Sequence, residues 1–191
     1  MKSLTQFIVK PMNGSRYNNI KNIAGIDFIV NTSEEEAKFS NRYAEVIETP
    51  LGYNGPIKNG DTLIVHHNAF KFYNDVRGKR RSGKSFLKDD LFLIDEEQFF
   101  LYKSDGKWNA YDRYCFIKPI PATESYIKKP FSLEPLMGVM VYPNEYLKSK
   151  GVNEGDTVCF APNGEYEFDI DGEKLYRMYD HFVTLKLNPI C

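Results

Sequence analysis

Residues 78–85, Gly-Lys-Arg-Arg-Ser-Gly-Lys-Ser, match the G-x-x-x-x-G-K-S spacing of a phosphate-binding loop. Such a loop presents its backbone amides to phosphate when a buried strand precedes it and a helix begins at its end. Here residues 70–76 mix polar and aromatic side chains, and residues 86–90, Phe-Leu-Lys-Asp-Asp, lead into a strand pattern. The context therefore favours a solvated basic hairpin tip over the site of a nucleotide-binding enzyme. An anionic partner surface is the remaining alternative.

Two adjacent histidines, His66 and His67, are candidates for metal binding. Neighbouring residues of a strand point to opposite faces, so we do not expect this pair to share one ion. The third histidine, His181, is distant in sequence, and no cysteine or carboxylate stands at metal-ligand spacing from the pair. Nothing in the sequence is typical of a Ser-His-Asp or Cys-His nucleophile. We therefore predict a protein with no enzymatic activity, no metal and no cofactor.

The three cysteines, Cys115, Cys159 and Cys191, are odd in number and widely spaced. Cys115 and Cys159 lie in apolar strand patterns, where a buried free thiol is the expected state. Free thiols indicate a reducing compartment.

The composition limits the classes of partner. The formal net charge is −1, which argues against general binding of nucleic acid by electrostatics. No apolar run approaches the ~20 residues of a membrane span, and residues 1–6 lack the apolar core of a signal peptide. A content of 42% hydrophobic and 15% aromatic residues can build a globular core. We expect a cytoplasmic protein without nucleic-acid or membrane partners.

The elements that position these residues are organised around a segment that occurs twice. Residues 57–65 are Ile-Lys-Asn-Gly-Asp-Thr-Leu-Ile-Val, and residues 152–160 are Val-Asn-Glu-Gly-Asp-Thr-Val-Cys-Phe. Gly-Asp predicts a turn, because glycine accepts a positive φ and aspartate can bond its own backbone. The apolar run that follows predicts a short buried strand.

The surroundings of this segment repeat in the same order. Each copy has an opening strand ending in Lys-Pro, a strand before the Gly-Asp turn, and two closing strands after a variable hairpin. The paired segments are 7–11 with 115–119, 43–47 with 136–141, 91–95 with 175–179, and 99–102 with 182–185. Strong helix periodicity is absent. The sequence therefore predicts an all-β fold of two tandem small β-barrels.

The repeat also sets the expected domain boundaries. Residues 1–104 form the first barrel, with a long loop at 12–41 and a basic hairpin at 68–85. Residues 105–113, which include Asp-Gly and the sole tryptophan, are the expected linker, and residues 114–191 form the second barrel.

The long segment 12–41 is rich in asparagine and serine and contains a run of three glutamates. Loops of this length within compact domains are usually functional or disordered. Within it, residues 23–31 are Ile-Ala-Gly-Ile-Asp-Phe-Ile-Val-Asn. This apolar stretch is interpreted either as a segment that docks into a groove on a partner protein or as a covered edge strand. The residues alone do not distinguish these two interpretations.

In this order, the motifs of each half resemble those of GroES-like co-chaperonin subunits. Members of that family open with a strand ending in Val-Lys, as at residues 8–10. A mobile loop follows with a glycine and an apolar tripeptide, here Gly25 and, after two inserted residues, 28–30. The family's Gly-Glu-Val strand is matched by residues 44–46, and its Val-Lys-x-Gly-Asp-x-Val-x-Phe motif by both Gly-Asp segments, better by the second.

The sequence departs from that family in three respects. The long hairpin that forms the roof of the family's dome is missing from both copies, the hairpin 68–85 is an addition, and only the first copy has a full-length loop. Virus-encoded and organellar relatives tolerate such changes, so the resemblance is compatible with a divergent, viral form.

The resemblance implies a co-chaperonin that caps a GroEL-like chaperonin ring and assists protein folding as a homo-oligomeric ring, in the host cytoplasm if viral. The residues implied in chaperonin binding are the apolar tip of the mobile loop, Gly25, Ile26, Phe28, Ile29 and Val30. The shorter second loop, 122–135, is flanked by prolines and is expected to be structural. The alternative is a structural or adaptor protein, for instance in a virus particle, that keeps the barrel without chaperonin binding.

Overall fold

The computed structural model of the chain describes residues 1–18, 20–23, 25–29, 39–121 and 133–187. The chain divides into two compact units, Met1–Lys107 and Trp108–Cys191. Strands make up 49% of the structure and helices 10%, so the all-β prediction is confirmed. In the part of the chain that the structure describes, no helix combines the length and apolar character required to cross a membrane.

The first unit is built from short strands that are joined mostly by turns. They are β1 (Phe7–Pro11), β2 (Ile20–Ile23), β3 (Ile26–Ile29), β4 (Tyr43–Glu48), β5 (Thr62–Val65), β6 (Phe72–Asn74), β7 (Arg80–Ser82), β8 (Phe86–Lys88), β9 (Leu91–Ile94), β10 (Phe99–Ser104) and β11 (Lys107–Ala110), which crosses the unit boundary. Single 3₁₀ turns follow β1 and β9, at Met12–Gly14 and Glu96–Gln98. Seven strands form one sheet in the order β11-β10-β5-β4-β1-β9-β8, and β2–β3 and β6–β7 are separate hairpins.

The second unit repeats this construction with longer strands. They are β12 (Tyr114–Pro121), β13 (Leu133–Tyr142), β14 (Thr157–Phe160), β15 (Tyr166–Ile170), β16 (Glu173–Tyr179) and β17 (Val183–Lys186), with the helix α1 (Glu145–Ser149) after β13 and a 3₁₀ turn at Asp180–Phe182. The sheet order is β15-β16-β12-β13-β14-β17.

The two large sheets share one strand order and one register. The order β8-β9-β1-β4-β5-β10 of the first unit corresponds, strand for strand, to β15-β16-β12-β13-β14-β17 of the second. Equivalent residue pairs are Val9↔Val46 with Ile117↔Met140, Ala44↔Leu63 with Gly138↔Val158, and Val9↔Phe92 with Ile117↔Tyr176. The strands at equivalent positions are the segments whose sequences repeat.

The first Gly-Asp turn joins β4 to β5 by two backbone hydrogen bonds to a single residue. The Gly60 amide donates to the Val46 carbonyl at 2.7 Å, and the Val46 amide donates to the Asp61 carbonyl at 2.9 Å. Gly60 has a φ of +90°, in the region that favours glycine. The Asp61 carboxylate accepts the Lys58 amide at 2.8 Å, which closes the turn.

The second Gly-Asp turn has the same geometry between β13 and β14. The Gly155 amide donates to the Met140 carbonyl, and the Met140 amide donates to the Asp156 carbonyl, both at 2.8 Å. Gly155 has a φ of +87°. The Asp156 carboxylate accepts the Asn153 amide at 2.7 Å and pairs with Lys186 at 2.7 Å. These two donors hold the pKa of Asp156 below its usual value.

Each unit has an apolar core beneath its sheet. In the first unit the Phe7 ring meets Phe99 edge-on at 5.3 Å, and Phe70 meets Phe92 at 4.8 Å. The second core is more aliphatic and sulfur-rich, and its buried members are Cys115, Ile117, Met140, Leu147, Val152, Val158, Phe160 and Met178.

Several local predictions can be compared with the structure. The strand segments expected at 43–47 and 91–95 are present as β4 and β9. In the second unit β15 and β16 pair around a turn at Asp171 and Gly172, and α1 precedes the second Gly-Asp turn. The expected linker, 105–113, contains β11, because Asp105 and Gly106 form a turn that returns the chain along β10. Among the described residues neither large sheet closes on itself, so the architecture is two open antiparallel sheets.

The geometry of the second turn predicts the effect of Gly155→Ala. A Cβ at this position meets nothing within 4 Å, so the cost comes from the backbone alone. Forcing an L-residue into the left-handed region should lower the free energy of unfolding by about 1–2 kcal/mol. Urea denaturation measures this change. The control Glu154→Ala, at an exposed position of the same turn, should stay within about 0.5 kcal/mol of the parent; equal midpoints for the two variants would contradict the assignment.

Candidate functional site

The two ends of the long segment between β1 and β4 are held together by hydrogen bonds. We call the paired residues 16–18 and 39–41 the neck. Tyr17 and Ser40 form an antiparallel bridge, and both are buried. On either side of this bridge the Asn18 amide donates to the Phe39 carbonyl at 2.7 Å, and the Asn41 amide donates to the Arg16 carbonyl at 2.9 Å. Residues between 18 and 39 therefore start and end at one point on the surface of the unit.

Asn41 holds the neck to the strands on both sides. Its side chain is 3% exposed, and its Nδ2 donates to the carbonyls of Met12 at 2.9 Å and Ser15 at 2.7 Å. Its Oδ1 accepts the Tyr43 amide at 2.9 Å, at the first residue of β4. One buried side-chain amide thus satisfies three backbone groups at once.

The described residues of this segment, 20–23 and 25–29, form a β-hairpin. Strands β2 and β3 pair antiparallel, with Ile20 opposite Ile29 and Ile23 opposite Ile26. Gly25 lies at the turn with a φ of +83° and is exposed. The structure therefore brings Gly25, Ile26, Phe28 and Ile29 of the predicted binding tip together on one hairpin, and Val30 lies outside the described residues.

Arg16 connects the neck to the rest of the unit. Its guanidinium lies over three aromatic rings, those of Phe72 at 4.2 Å, Phe92 at 4.7 Å and Phe86 at 5.0 Å. It also donates to the Ser82 hydroxyl at 3.0 Å. Burial lowers the pKa of Arg16, although arginine stays charged at any physiological pH.

The segment that matches the phosphate-binding pattern forms a different structure. Residues 78–85 contain the end of a turn, strand β7 and the approach to β8, and no helix begins at Ser85. The backbone geometry that would cradle phosphate is therefore not formed. The expected basic hairpin is present as β6 and β7, with its tip at residues 75–79.

The prediction that the side chains of His66 and His67 point to opposite faces of a strand is wrong. His66 and His67 lie just beyond β5, so strand alternation does not apply, and their rings are 4.1 Å apart. Burial and the neighbouring His66 lower the pKa of His67 to about 4. Within the described ranges, no group of three or more histidine, cysteine, aspartate or glutamate side chains is placed to bind a metal ion.

The cysteine prediction holds in part. Cys115 is a buried free thiol, and its burial raises its pKa well above the ordinary value. Cys159 is also free but only half-buried, and Cys191 lies outside the described residues.

The equivalent loop of the second unit is closed differently. Pro121 pairs directly with Leu133, so β12 and β13 extend to the base of the loop 122–132. The buried asparagine of this unit, Asn144, lies at the start of α1, where its Oδ1 accepts the Leu147 amide at 2.9 Å, and not beside this loop. Phe131, an apolar residue of the predicted loop 122–135, lies outside the described residues.

Sequence reasoning missed the residues that build the neck, namely Arg16, Tyr17 and Asn41. Their partners lie far along the chain, and single polar or aromatic residues in a loop carry no periodic signal. The available signal was the position of Asn41 as the last residue of the long segment 12–41.

Comparison with models of known protein families finds no match to this chain, and comparison with curated proteins finds none either.

The neck predicts a selective effect of Asn41→Ala. The substitution leaves the carbonyls of Met12 and Ser15 and the amide of Tyr43 without their partner, so we expect a loss of about 1–3 kcal/mol in unfolding free energy. Cleavage within residues 18–39 in limited proteolysis should become faster as the neck opens. The control Asn18→Ala, at an exposed position, should change neither quantity appreciably; unchanged proteolysis of Asn41→Ala would contradict the role of the neck.

His67 predicts a pH dependence of stability. The folded protein keeps the imidazole neutral down to a pKa of about 4, whereas the unfolded chain takes up a proton near 6.5. The depressed pKa means that this stabilisation is complete above pH 6.5 and is lost as the pH falls towards 4. His67→Gln should therefore flatten the stability profile between pH 6.5 and 4 in urea titrations. Asn68→Ala, the non-titrating neighbour, should keep the parent slope, and an unchanged slope for His67→Gln would refute the assignment.

Proposed function

We propose that the protein is a non-enzymatic lid for a chaperonin ring and that its two units, whose large sheets are open among the described residues, are divergent relatives of the GroES-like barrel. The observation that carries this proposal is the closed neck of the first unit, from which the β2–β3 hairpin extends with Gly25 at its turn. The hairpin has an apolar sequence, and the large sheets of the two units share one strand order. A hairpin that leaves its unit at a single point suits insertion into a groove on another protein.

In the proposed mechanism, Ile26, Phe28, Ile29 and Val30 dock into an apolar groove on the chaperonin. Ordering a free segment costs about 1–2 kcal/mol per residue, and apolar burial at ~25 cal/mol per Å² must offset that cost. Pairing of β2 with β3 and closure of the neck fix part of the backbone before binding. Less ordering then remains at the moment of docking.

A single hairpin still buries little surface, so one contact binds weakly. A homo-oligomeric ring of lids presents several hairpins at once and gains affinity by raising the effective concentration of each. The lid acts where its chaperonin is, in the cytoplasm, or in the host cytoplasm for a virus-encoded form.

The test is co-sedimentation of the protein with a chaperonin and ATP at micromolar concentration. Phe28→Ser with Ile29→Ser should abolish binding and leave the Tm nearly unchanged, because docking and folding use different contacts. Phe131→Ser with Leu133→Ser, at the end of the predicted second loop and the first residue of β13, should lower the Tm and retain binding, because these residues are assigned a structural role. The opposite pattern in the two double variants, or no binding by the parent, would count against the lid.

A structural or adaptor protein is the second candidate. It is favoured by the short connection of residues 49–61 between β4 and β5 and by α1 at the equivalent place in the second unit, because neither forms a long roof hairpin. Native mass measurement separates the candidates. A stable ring without association with virus particles supports the lid, and a monomer that co-purifies with particles supports the adaptor.

A further inference from the structure

Positive charge is concentrated in and beside the β6–β7 hairpin. Residues 71–84 contain six of the twenty-five lysines and arginines and one carboxylate, so nineteen cations and twenty-five carboxylates remain elsewhere. The net charge of −1 therefore combines a strongly basic hairpin with an acidic remainder. The expectation that the chain has no nucleic-acid partner used only this average and does not apply to the hairpin.

Asp75 fixes the conformation of the hairpin tip. Its Oδ1 accepts the amides of Arg77 and Lys79, both at 2.9 Å, and its Oδ2 accepts from Arg81 Nε at 3.2 Å. These hydrogen bonds, first of all the one from Lys79, hold the pKa of Asp75 below its usual value. The single carboxylate of the hairpin is thus used to shape the turn and leaves most of the positive charge uncompensated.

Phe72 anchors the hairpin to the first unit. Its ring stacks on Tyr17 at 6.1 Å and lies beneath the guanidinium groups of Arg16 at 4.2 Å and Arg80 at 3.7 Å. The Phe72 amide donates to the Tyr17 hydroxyl at 3.0 Å. The hairpin is therefore presented on a fixed base, which lowers the ordering cost of binding.

The outer face of the hairpin combines cations with an exposed aromatic ring. Tyr73 pairs with Arg81 across the strands, and its side chain is 53% exposed. Lys79 stands two residues before Arg81, about 6.6 Å along the chain if extended. In the part of the chain that the structure describes, the side chains of Arg77, Lys79 and Lys84 make no ion pair, whereas Lys10, Lys118 and Lys186 each pair with a carboxylate.

The repeated framework does not require this hairpin. In the second unit the equivalent connection between β14 and β15 is residues 161–165, which contain no strand. The hairpin adds no strand to the large sheet of the first unit. A rigid, charged addition that the fold does not need suggests a binding role.

We propose that the β6–β7 hairpin binds single-stranded nucleic acid. Phosphates contact Arg77, Lys79 and Arg81, and an unpaired base stacks on Tyr73, the combination used by single-strand binders. A duplex keeps its bases stacked on one another and offers no free base to the ring. Repulsion from the acidic remainder is screened beyond about 8 Å at physiological salt, so it does not cancel the local attraction.

The experiment measures fluorescence anisotropy of a fluorescein-labelled twelve-residue oligo-dT with the full chain across a salt series. Contacts to about three phosphates predict a slope of log affinity against log salt near −2. Arg77→Glu with Lys79→Glu should weaken binding at least tenfold, and Tyr73→Ala about tenfold by loss of stacking. The matched control, Lys148→Glu with Lys150→Glu on exposed positions around α1, makes the same change in net charge and should alter affinity less than twofold.

Each contrary outcome overturns the proposal. No binding at 100 µM protein and about 50 mM salt excludes the site, because non-specific binders reach that range. Equal weakening by the hairpin and control charge reversals shows an effect of net charge alone. An unchanged affinity for Tyr73→Ala, or equal competition by a twelve-residue poly-glutamate peptide, indicates an acidic protein surface as the partner instead. Urea midpoints within about 0.5 kcal/mol of the parent confirm that each variant is folded.

Discussion

A pair of backbone hydrogen bonds at the Gly-Asp turn is the constraint on which both sheets depend. In each unit one residue of the strand that enters the turn makes both hydrogen bonds, Val46 in the first unit and Met140 in the second. Its carbonyl accepts the amide of the turn glycine, and its amide donates to the carbonyl of the turn aspartate. Because side chains alternate along a strand, this fixed register decides which residues reach the core. A slip of one residue in β4 would turn the buried Ala44 and Val46 outward and bring the partly exposed Glu45 into the core.

With the frame held in this way, the two units differ in what is attached to it. In the first unit, polar contacts close the neck, where Asn41 hydrogen-bonds three backbone groups. This unit also has the β6–β7 hairpin, which is anchored by Phe72. The second unit closes the equivalent loop by strand pairing at Pro121 and Leu133. Polar networks in loops are retained only when every member is satisfied, because an unpaired buried group costs more than the hydrogen bond contributes. The extra elements of the first unit therefore come with side chains that satisfy their backbone groups, Asn41 at the neck and Tyr17 at the hairpin base.

Much of the frame could be predicted because its signals are local. The Gly-Asp turns, the strand Tyr43–Glu48 and the Asp171-Gly172 hairpin each depend on residues within a few positions of one another. The neck could not be predicted, because Asn41 contacts a carbonyl 29 residues earlier in the chain. The histidine geometry failed for a related reason. A strand pattern gives no signal that the strand ends at Val65, and beyond that point adjacent side chains can lie together.

Arg16 links the neck and the basic hairpin through different parts of one residue. Its backbone carbonyl accepts the Asn41 amide in the neck, and its guanidinium lies over Phe72 and bonds Ser82 in the hairpin. Its side chain is only 12% exposed and also touches rings of β8 and β9, so it cannot reorient without losing contacts in the core. A shift of the hairpin base must therefore move Arg16 or break a charge-assisted contact, and a shift of Arg16 pulls on the neck. The neck and the basic hairpin share one rigid anchor, and a change in either has a physical route to the other.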